Sequence, residues 1–368
     1  NQGHRLPCLL KTHVAIIWNL NPSRMNQEFS IQNGSRYVNL VTRIAVNMGR
    51  KSISIAITLV FLSAGCIGDK TSSDSAGDIQ DFDIDITNAV FSKSNASCAD
   101  YTGSYFAKII DTSNGNSLTS RVTISSENQT CTIRSNGLPN HDFAKNGSFA
   151  NTAAEVWESF TIQQNPVVAD NYTDLSLQYD NAVFLNGVKL DLLAAACYGV
   201  GPDPLGREKI GCFDSNTPWR YDPMHSSNNF GEDDNHAHTQ PDGAYHYHGD
   251  PVAMYDLSGN STSGVIGFAA DGFPIRGPYI DDNGTIRAIE SSYVLNEGNR
   301  TNQDGEGAFP GGEWDGTYRD DFHWEEGAGD LDECNGKVVD GVYSYYVTFS
   351  YPWVMNCFAG TLDQSFRK

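Results

Sequence analysis

Short runs of apolar residues, or of alternating apolar and polar residues, recur along most of the chain, with Gly, Asn, Asp and Pro between them. Few stretches place apolar residues at the spacing of a helix. Runs of this length between turn-forming residues are typical of β-strands. We therefore expect a mainly β fold: a single large antiparallel β domain with long loops and few short helices. The strands are predicted at residues 121–126, 129–134, 158–163, 174–179, 182–185, 264–269 and 342–351.

Two further segments differ from this pattern. Residues 190–197 are mostly apolar, and a run this short is compatible with either a short helix or a buried strand. Residues 296–329 are polar and rich in Gly, Asp and Glu, which predicts a long surface loop. Residues 87–368 are expected to form one domain; the alternative is a small separate β unit at 86–128.

The N-terminal region has the pattern of an export signal. An apolar run at 53–62 follows Arg50 and Lys51 and precedes small residues and Cys66. We place a secretory signal peptide at 48–65, with translation starting at Met48. Residues 1–47 are then predicted to be upstream nucleotide sequence read as protein, and the alternative is a true extension. The apolar run is shorter than the roughly 20 residues of a membrane span.

The residues just before Cys66 resemble a bacterial lipoprotein processing site, although Leu62 lies one position farther from the cysteine than usual. We expect cleavage before Cys66 and lipidation of this residue; ordinary signal cleavage nearby is the alternative. Residues 66–86 are rich in Ser, Asp and Gly, which predicts a flexible tether. The protein is thus predicted to be exported, as an outer-membrane lipoprotein or a periplasmic or cell-surface protein, with a lipid anchor as its membrane contact.

The acidic composition of the chain limits its partners. The formal net charge is -21 at pH 7, and the predicted signal segment contributes basic residues to that total. The mature chain would therefore be more acidic still. A strongly negative protein repels nucleic acid and anionic membrane surfaces. We expect no nucleic-acid partner.

Six of the eight cysteines remain when Cys8, in the doubtful extension, and the predicted lipid site Cys66 are set aside. An even number of cysteines in an exported protein favours disulfides. Many pairings are possible, and we favour the one that joins neighbours in sequence. None of the pairs has C-x-x-C spacing, which argues against a cysteine zinc site or thiol redox chemistry. The predicted bonds are Cys98–Cys131, Cys197–Cys212 and Cys334–Cys357.

Four of the nine histidines form two His-x-His pairs on either side of a Pro-Asp-Gly turn at 241–243. Alternate residues of a strand point to the same face, and a tight turn would bring the two pairs together. Imidazole is a ligand for Zn, Cu, Fe and Ni. We predict a metal site, most simply for copper or zinc; the alternative is a structural histidine network. The four residues are His236, His238, His246 and His248.

The segment Asp-Gly-Ala-Tyr-His-Tyr-His-Gly at 242–249 resembles the signature of the YHYH-domain family. This resemblance implies a single extracytoplasmic domain and adds His141 as a fifth candidate ligand, but it implies little about function. The chain departs from the family at Ser344, where many relatives carry histidine. Further segments that resemble family motifs lie at 135–141, 185–188, 219–222, 271–279, 329–336 and 351–353.

Other residues are candidates for supporting chemistry. Asp233 and Asp234 are close in sequence to the histidines, as additional ligands or as partners that orient a ring. Asp242 and Asp271 are candidate catalytic acids or bases, and Glu232 is a further one. The acidic segments 281–284 and 330–336 offer oxygen ligands for Ca²⁺, although solvated turns explain them equally well.

Three functions are compatible with these features. The first is an exported metal-binding protein that stores, delivers or senses copper or zinc. The second is a metal-dependent extracytoplasmic enzyme, either a hydrolase or an oxidase. The third is a cell-surface adhesion or glycan-binding module in which the histidines are structural and the aromatic residues contact sugar rings.

Overall fold

The computed structural model describes residues 30–33, 36–39, 83–339 and 341–368. The chain divides into two units, Asn1–Ala76 and Gly77–Lys368. The predicted signal peptide, the lipidation site Cys66 and most of the tether lie outside the described residues. In the first unit, the described residues are two antiparallel strands, β1 (Ser30–Asn33) and β2 (Arg36–Asn39).

The second unit is mainly β, as predicted. Its 3-10 helices have three or four residues each and lie at Cys98–Tyr101, Val252–Met254, Arg319–Asp321 and Gln364–Phe366. Among the described residues, no helix has the length and apolar character to cross a membrane. The strands are β3 (Ile84–Asp85), β4 (Gly103–Asp111), β5 (Asn116–Glu127), β6 (Thr130–Ser135), β7 (Glu158–Gln163), β8 (Thr173–Asp174), β9 (Ala182–Phe184), β10 (Lys189–Leu190), β11 (Ala237–Thr239), β12 (Tyr245–Tyr247), β13 (Val265–Ala269), β14 (Pro274–Arg276), β15 (Tyr279–Asp282), β16 (Thr285–Ala288), β17 (Tyr293–Leu295), β18 (Phe322–Trp324), β19 (Gly336–Val339), β20 (Val342–Tyr346) and β21 (Cys357–Phe358).

One sheet has five strands in the order β3-β4-β5-β6-β7. Buried and more exposed positions alternate along β4, β5 and β6, because one face packs on the core and the other faces outward. Asn128 and Gln129 form the tight turn between β5 and β6, with φ of 49° and 67°. Two successive left-handed residues match the right-handed twist of the strands that they connect. The strand predicted to begin at residue 129 therefore begins one residue later.

The second sheet has eight strands in the order β11-β12-β10-β9-β13-β14-β20-β19. Most neighbours in the molecule are antiparallel, as predicted, but β10 with β12, β14 with β20, and β3 with β4 are parallel pairs. The parallel pairing of β10 with β12 positions the histidine segment, because it sets Lys189 beside His246 and Leu190 beside Tyr247. Smaller two-stranded sheets join β15 to β16, β17 to β18 and β21 to β8.

The two large sheets meet at the turn between β9 and β10. The hydroxyl of Ser135, on β6, donates a hydrogen bond of 2.5 Å to the carbonyl oxygen of Gly187. Gly187 has φ of +83°, and a Cβ there would lie 2.4 Å from the Cβ of Ser135 and 2.7 Å from Cγ2 of Val122. Glycine is therefore required here both by conformation and by the close approach. Residues of both sheets belong to one continuous hydrophobic core.

Four predicted segments differ from the structure. Of 174–179, only the first residue is in a strand, and β20 ends at Tyr346 rather than at 351. Residues 191–197 form neither a helix nor a strand. This segment is irregular, and its backbone bonds to other loops, as in the hydrogen bond of 3.0 Å from Cys212 N to Ala195 O. Apolar side chains keep the segment in the core without regular structure. The predicted surface loop at 296–329 contains β18, and its Arg300 is buried against Asp321.

All three predicted disulfides are present, joining Cys98 to Cys131, Cys197 to Cys212 and Cys334 to Cys357. The first attaches the helix at Cys98–Tyr101 to β6, the second closes the irregular segment after β10, and the third links Cys334, two residues before β19, to β21. Each closes a loop of the unfolded chain, which stabilises a domain by roughly 2–4 kcal/mol.

Gly187→Ala is expected to destabilise the protein much more than Gly115→Ala. Both residues have a left-handed φ, +83° and +77°, but a Cβ at Gly115 meets no atom within 4 Å. The Gly115 variant therefore carries only the conformational cost of about 1–2 kcal/mol. Overpacking should add about 1–3 kcal/mol at Gly187. Denaturant unfolding measures both, and equal losses would contradict the described contact between the sheets.

Candidate metal centre

The two predicted His-x-His segments lie on one β-hairpin. In it β11 and β12 are antiparallel, with His238 directly opposite His246. The connecting turn is closed by a hydrogen bond of 2.9 Å from Gly243 N to Gln240 O, and the exposed Asp242 accepts one of 3.0 Å from Ala244 N. Gly243 has φ of 90°, a backbone conformation that is unfavourable for residues with a side chain. Asp242 therefore shapes the turn.

Three histidines of this hairpin converge: His238, His246 and His248, hereafter the three-histidine group. The Nε2 atoms of His246 and His248 lie 3.0 Å apart, and those of His248 and His238 lie 3.1 Å apart. The ring centroids of all three pairs are separated by 4.7–4.8 Å. His246 and His248 are buried and His238 is half-buried. Within the part of the chain that the structure describes, this is the group of side chains able to share one metal ion.

The hydrogen bonds of the other ring nitrogens determine where the protons lie. Nδ1 of His238 is 2.7 Å from the carbonyl oxygen of Phe230, and Nδ1 of His246 is 3.3 Å from that of Ala244. A carbonyl only accepts, so these Nδ1 atoms carry hydrogen, and in the neutral rings both Nε2 atoms carry lone pairs. Nδ1 of His248 is buried and, among the described residues, has no hydrogen-bond partner.

The proton on His248 therefore has no fully satisfactory position. If the proton is on Nε2 of His248, it can be donated to Nε2 of His246 or to Nε2 of His238, but not to both. Nδ1 of His248 is then a buried acceptor without a partner. On Nδ1, it is a buried, unpartnered donor, and three lone pairs converge. Unpaired buried polar atoms cost about 1–3 kcal/mol each. A cation shared by the three Nε2 atoms removes their mutual repulsion.

Burial determines the charge state of the group. It lowers the pKa of His238 and lowers the pKa values of His246 and His248 well below their ordinary range, and positive charge on neighbouring imidazoles lowers the latter two further. Desolvation disfavours the protonated ring. Neutral imidazole is the form that binds metal ions.

The tyrosines of β12 alternate with its histidines and are fixed by a separate hydrogen-bond network. The hydroxyl of Tyr247 lies 2.8 Å from Nε2 of His141 and accepts a bond of 3.0 Å from Nδ2 of Asn186. The hydroxyl of Tyr245 donates to Asp233 over 3.0 Å. His141 therefore lies outside the three-histidine group and helps to hold the strand that presents it.

His236 also lies outside the group. Its backbone is left-handed, with φ of 59°, so it does not continue the alternation of β11. Nδ1 of His236 lies 2.8 Å from Oδ1 of Asp250. Burial opposes protonation of this ring, but the hydrogen bond and charge of Asp250 outweigh it and raise the pKa. An alternation argument cannot detect a single left-handed residue.

Asp271 is a structural residue of the turn between β13 and β14. Its carboxylate is buried and accepts hydrogen bonds of 2.6 Å from the Tyr345 hydroxyl and 2.9 Å from Gly360 N. Burial raises its pKa. Asp234 instead pairs with Lys145 and Asn146 near the surface. Asp271 and Asp234 are therefore bound by residues other than the histidines.

Sequence reasoning missed Asp191, which directly follows β10. Its backbone N donates to the carbonyl of Tyr247 over 2.9 Å, so it lies beside the histidine strand. Burial lowers the pKa values of His238 and His248, and the negative charge of Asp191 partly offsets this. Lys368 forms an ion pair with Asp191, yet Oδ1 of Asp191 is buried and lacks a hydrogen-bond partner within the described ranges. The sequence feature that could have identified Asp191 is the presence of a carboxylate within the apolar run 190–197.

Glu232 is a second carboxyl group near the hairpin, and its side chain is half-buried. Its Oε2 accepts a bond of 3.2 Å from Phe230 N, while its Oε1 has no partner among the residues described. Burial raises the pKa of Glu232 to about 7. The carbonyl of the same Phe230 orients His238. Glu232 and His238 therefore both bind the backbone of Phe230.

The two acidic segments considered for calcium are turns with internal partners. Arg287 binds Asp330 through two nitrogens, at 2.7 and 2.8 Å, and Asp282 through Nε at 2.8 Å. Oδ1 of Asp332 accepts bonds from the backbone N of Cys334 and Gly336. These contacts explain the carboxylates as turn and ion-pair residues.

Tyr247→Phe is expected to destabilise the protein by about 1–3 kcal/mol, because it leaves His141 Nε2 buried without a partner and removes one of the two hydrogen bonds that Asn186 Nδ2 donates. Tyr279→Phe is the matched control, since its hydroxyl donates to an exposed carbonyl of Leu257 and the change should be within about 0.5 kcal/mol. Denaturant unfolding measures both. A Tyr247 variant as stable as the control would show that the network does not hold the strand.

The comparisons with known proteins agree with this architecture. A family model described as "YHYH protein" matches residues 159–360, more than half of the chain. The match includes the whole histidine hairpin and β9 to β21, whereas the motif at 135–141 precedes it. No curated protein and no solved structure matches the chain. The chain belongs to the YHYH protein family.

Proposed function

We propose that this protein is an exported metal-binding protein that holds zinc or copper through Nε2 of His238, His246 and His248. The observation that carries the proposal is the convergence of the three Nε2 atoms, with separations of 3.0 and 3.1 Å, in a place where no arrangement of protons satisfies every ring nitrogen. Zn–N bonds of about 2.0–2.1 Å in tetrahedral geometry separate nitrogens by about 3.3 Å. The two separations of 3.0 and 3.1 Å are close to this value, and the possible ligand atoms of all three rings lie within 4.8 Å of one another.

The ligand chemistry favours these two metals over others. Imidazole binds Zn and Cu well, whereas Ca²⁺ takes only oxygen ligands. The acidic turns at 281–284 and 330–336 are weaker candidates for Ca²⁺, because Arg287 already neutralises Asp282 and Asp330. Electron-transfer copper sites use a cysteine thiolate, and the six cysteines of the second unit are in disulfides.

Storage or delivery of the ion is the simplest task for such a site, and a metal-dependent hydrolase is the second candidate. Structural zinc sites use four protein ligands, whereas catalytic ones use three. A metal ion with three protein ligands supplies Lewis-acid chemistry when bound. Asp191 and Glu232 each offer a buried carboxyl oxygen without a partner among the described residues, as a nearby acid or base requires.

Export is the second part of the proposal. Three disulfides are characteristic of proteins that fold in an oxidising compartment. The sequence preceding Cys66 supports a lipid anchor at that residue, and the acidic composition argues against nucleic-acid partners.

Metal loading is expected to be close to one ion per chain and to depend on the three-histidine group. The exported protein is incubated with excess zinc or copper sulfate, separated from free ion and examined by elemental analysis. His246→Ala with His248→Ala should lose the ion, and so should the half-buried His238→Ala alone, which disturbs the core least. The control is His225→Ala with His323→Ala, which changes two histidines outside the group. Wild-type protein without near-stoichiometric metal would contradict the proposal.

Cys66→Ala is expected to move the protein from the membrane fraction to the soluble extracytoplasmic fraction, because lipidation requires this thiol. Fractionation followed by labelling with a radioactive fatty acid measures the effect. The control is Ser72→Ala in the predicted tether, which should leave fractionation and labelling unchanged. Equal labelling of the Cys66 variant and the wild type would exclude the lipid anchor.

A further inference from the structure

A second concave site is formed where two family-like motifs meet. Nε1 of Trp353, from 351–353, lies 3.0 and 3.3 Å from the two carboxylate oxygens of Asp222, from 219–222. The two residues are 131 positions apart in sequence. Beside them lies a cleft of about 260 Å³, whose walls also include Asp315, Phe322, Phe349 and Tyr351. The metal-binding proposal gives this cleft no role.

The aromatic walls offer both fixed and accessible rings. Phe322 and Tyr351 stack in parallel, with centroids 4.3 Å apart and an interplanar angle of 2°. Phe349 is 50% exposed at the rim, where it contacts Tyr279 edge-on. Phe349 therefore offers an accessible ring to a ligand in the cleft, while Phe322 and Tyr351 fix part of the wall by stacking on each other.

The carboxylates of the cleft already have cationic neighbours. Arg300 pairs with Asp315. Arg319, whose guanidinium carbon lies 5.0 Å from the Tyr351 ring centroid, is close enough for its charge to act on Asp222. A cationic ligand would therefore meet two arginines along with the two carboxylates. A neutral ligand with hydroxyl donors avoids that repulsion and still uses the acceptor capacity of Asp315, whose side chain is exposed, whereas Asp222 is buried and already accepts from Met224 N and Trp353 Nε1.

The size of the cleft narrows the choice of ligand. Sites for drug-sized ligands measure about 300–1,000 Å³, so a cleft of about 260 Å³ suits a single ring. A sugar ring has hydroxyls at its edge for carboxylates, and its apolar face packs on aromatic side chains. We propose that this cleft binds a neutral pyranose ring, such as the terminal sugar of a glycan. Asp315 accepts its hydroxyls, Phe349 and Trp353 contact its face, and Asp222 holds the Trp353 ring in position.

The test uses the exported, metal-loaded protein and the methyl pyranosides of glucose, galactose, mannose and N-acetylglucosamine. Saturation-transfer NMR and tryptophan fluorescence report binding. At least one pyranoside is expected to bind saturably with a dissociation constant in the millimolar range. Phe349→Ala should weaken this binding by about fivefold, as loss of one aromatic contact predicts. Asp222→Asn should weaken it as well, and Trp353→Phe should remove the fluorescence change.

Phe213→Ala is the control, because Phe213 is 66% exposed and is not part of the cleft wall. It should bind with wild-type affinity. Phe349 is also exposed, so its variant is expected to fold even if Asp222→Asn does not. Absence of saturable binding by all four pyranosides would overturn the proposal, as would undiminished binding by Phe349→Ala. Binding of tetramethylammonium in place of every pyranoside would identify a cation site instead.

Discussion

Three imidazole nitrogens that approach within 3.0 and 3.1 Å of one another in a largely buried place are the constraint on which this structure depends. Burial removes the water that would otherwise hydrate these nitrogens, and it keeps the rings neutral. Neutral rings present lone pairs to one another, and one hydrogen cannot satisfy three of them. Such a cluster persists in a folded protein only if the surrounding structure holds it firmly. A bound cation would turn this repulsion into attraction.

The alternation of side chains between the two faces of a β-strand explains how the surrounding structure holds the three histidines in place. His246 on β12 and His248 just after it converge with His238, whereas Tyr245 and Tyr247 point into the core. Tyr247 binds both His141 and Asn186, which come from the motif-like segments 135–141 and 185–188. Ser135 and Gly187, from the same two segments, join the two large sheets. The segments 135–141, 185–188 and 242–249 thus form one buried assembly, and this assembly orients the histidines.

Much of this could be predicted from sequence, since it depends on local rules. Period-two alternation places His246 and His248 on one face, the Pro-Asp-Gly turn brings His238 opposite His246, and cysteines close in sequence pair with one another. Other features depend on tertiary context. The left-handed backbone of His236, the parallel pairing that sets Asp191 beside the hairpin, and the irregular segment after Leu190 have no local signal of comparable strength. The meeting of Asp222 and Trp353 joins distant segments and was equally beyond local pattern.

X-ray absorption spectroscopy of the metal-loaded protein tests the central claim most directly, because it counts the atoms around the ion and measures their distances. The account predicts a shell with three imidazole nitrogens at about 2.0–2.1 Å for zinc, with the scattering of imidazole rings beyond it. A first shell made only of oxygen, or one with fewer than three imidazoles, would contradict the assignment of His238, His246 and His248 as the ligands.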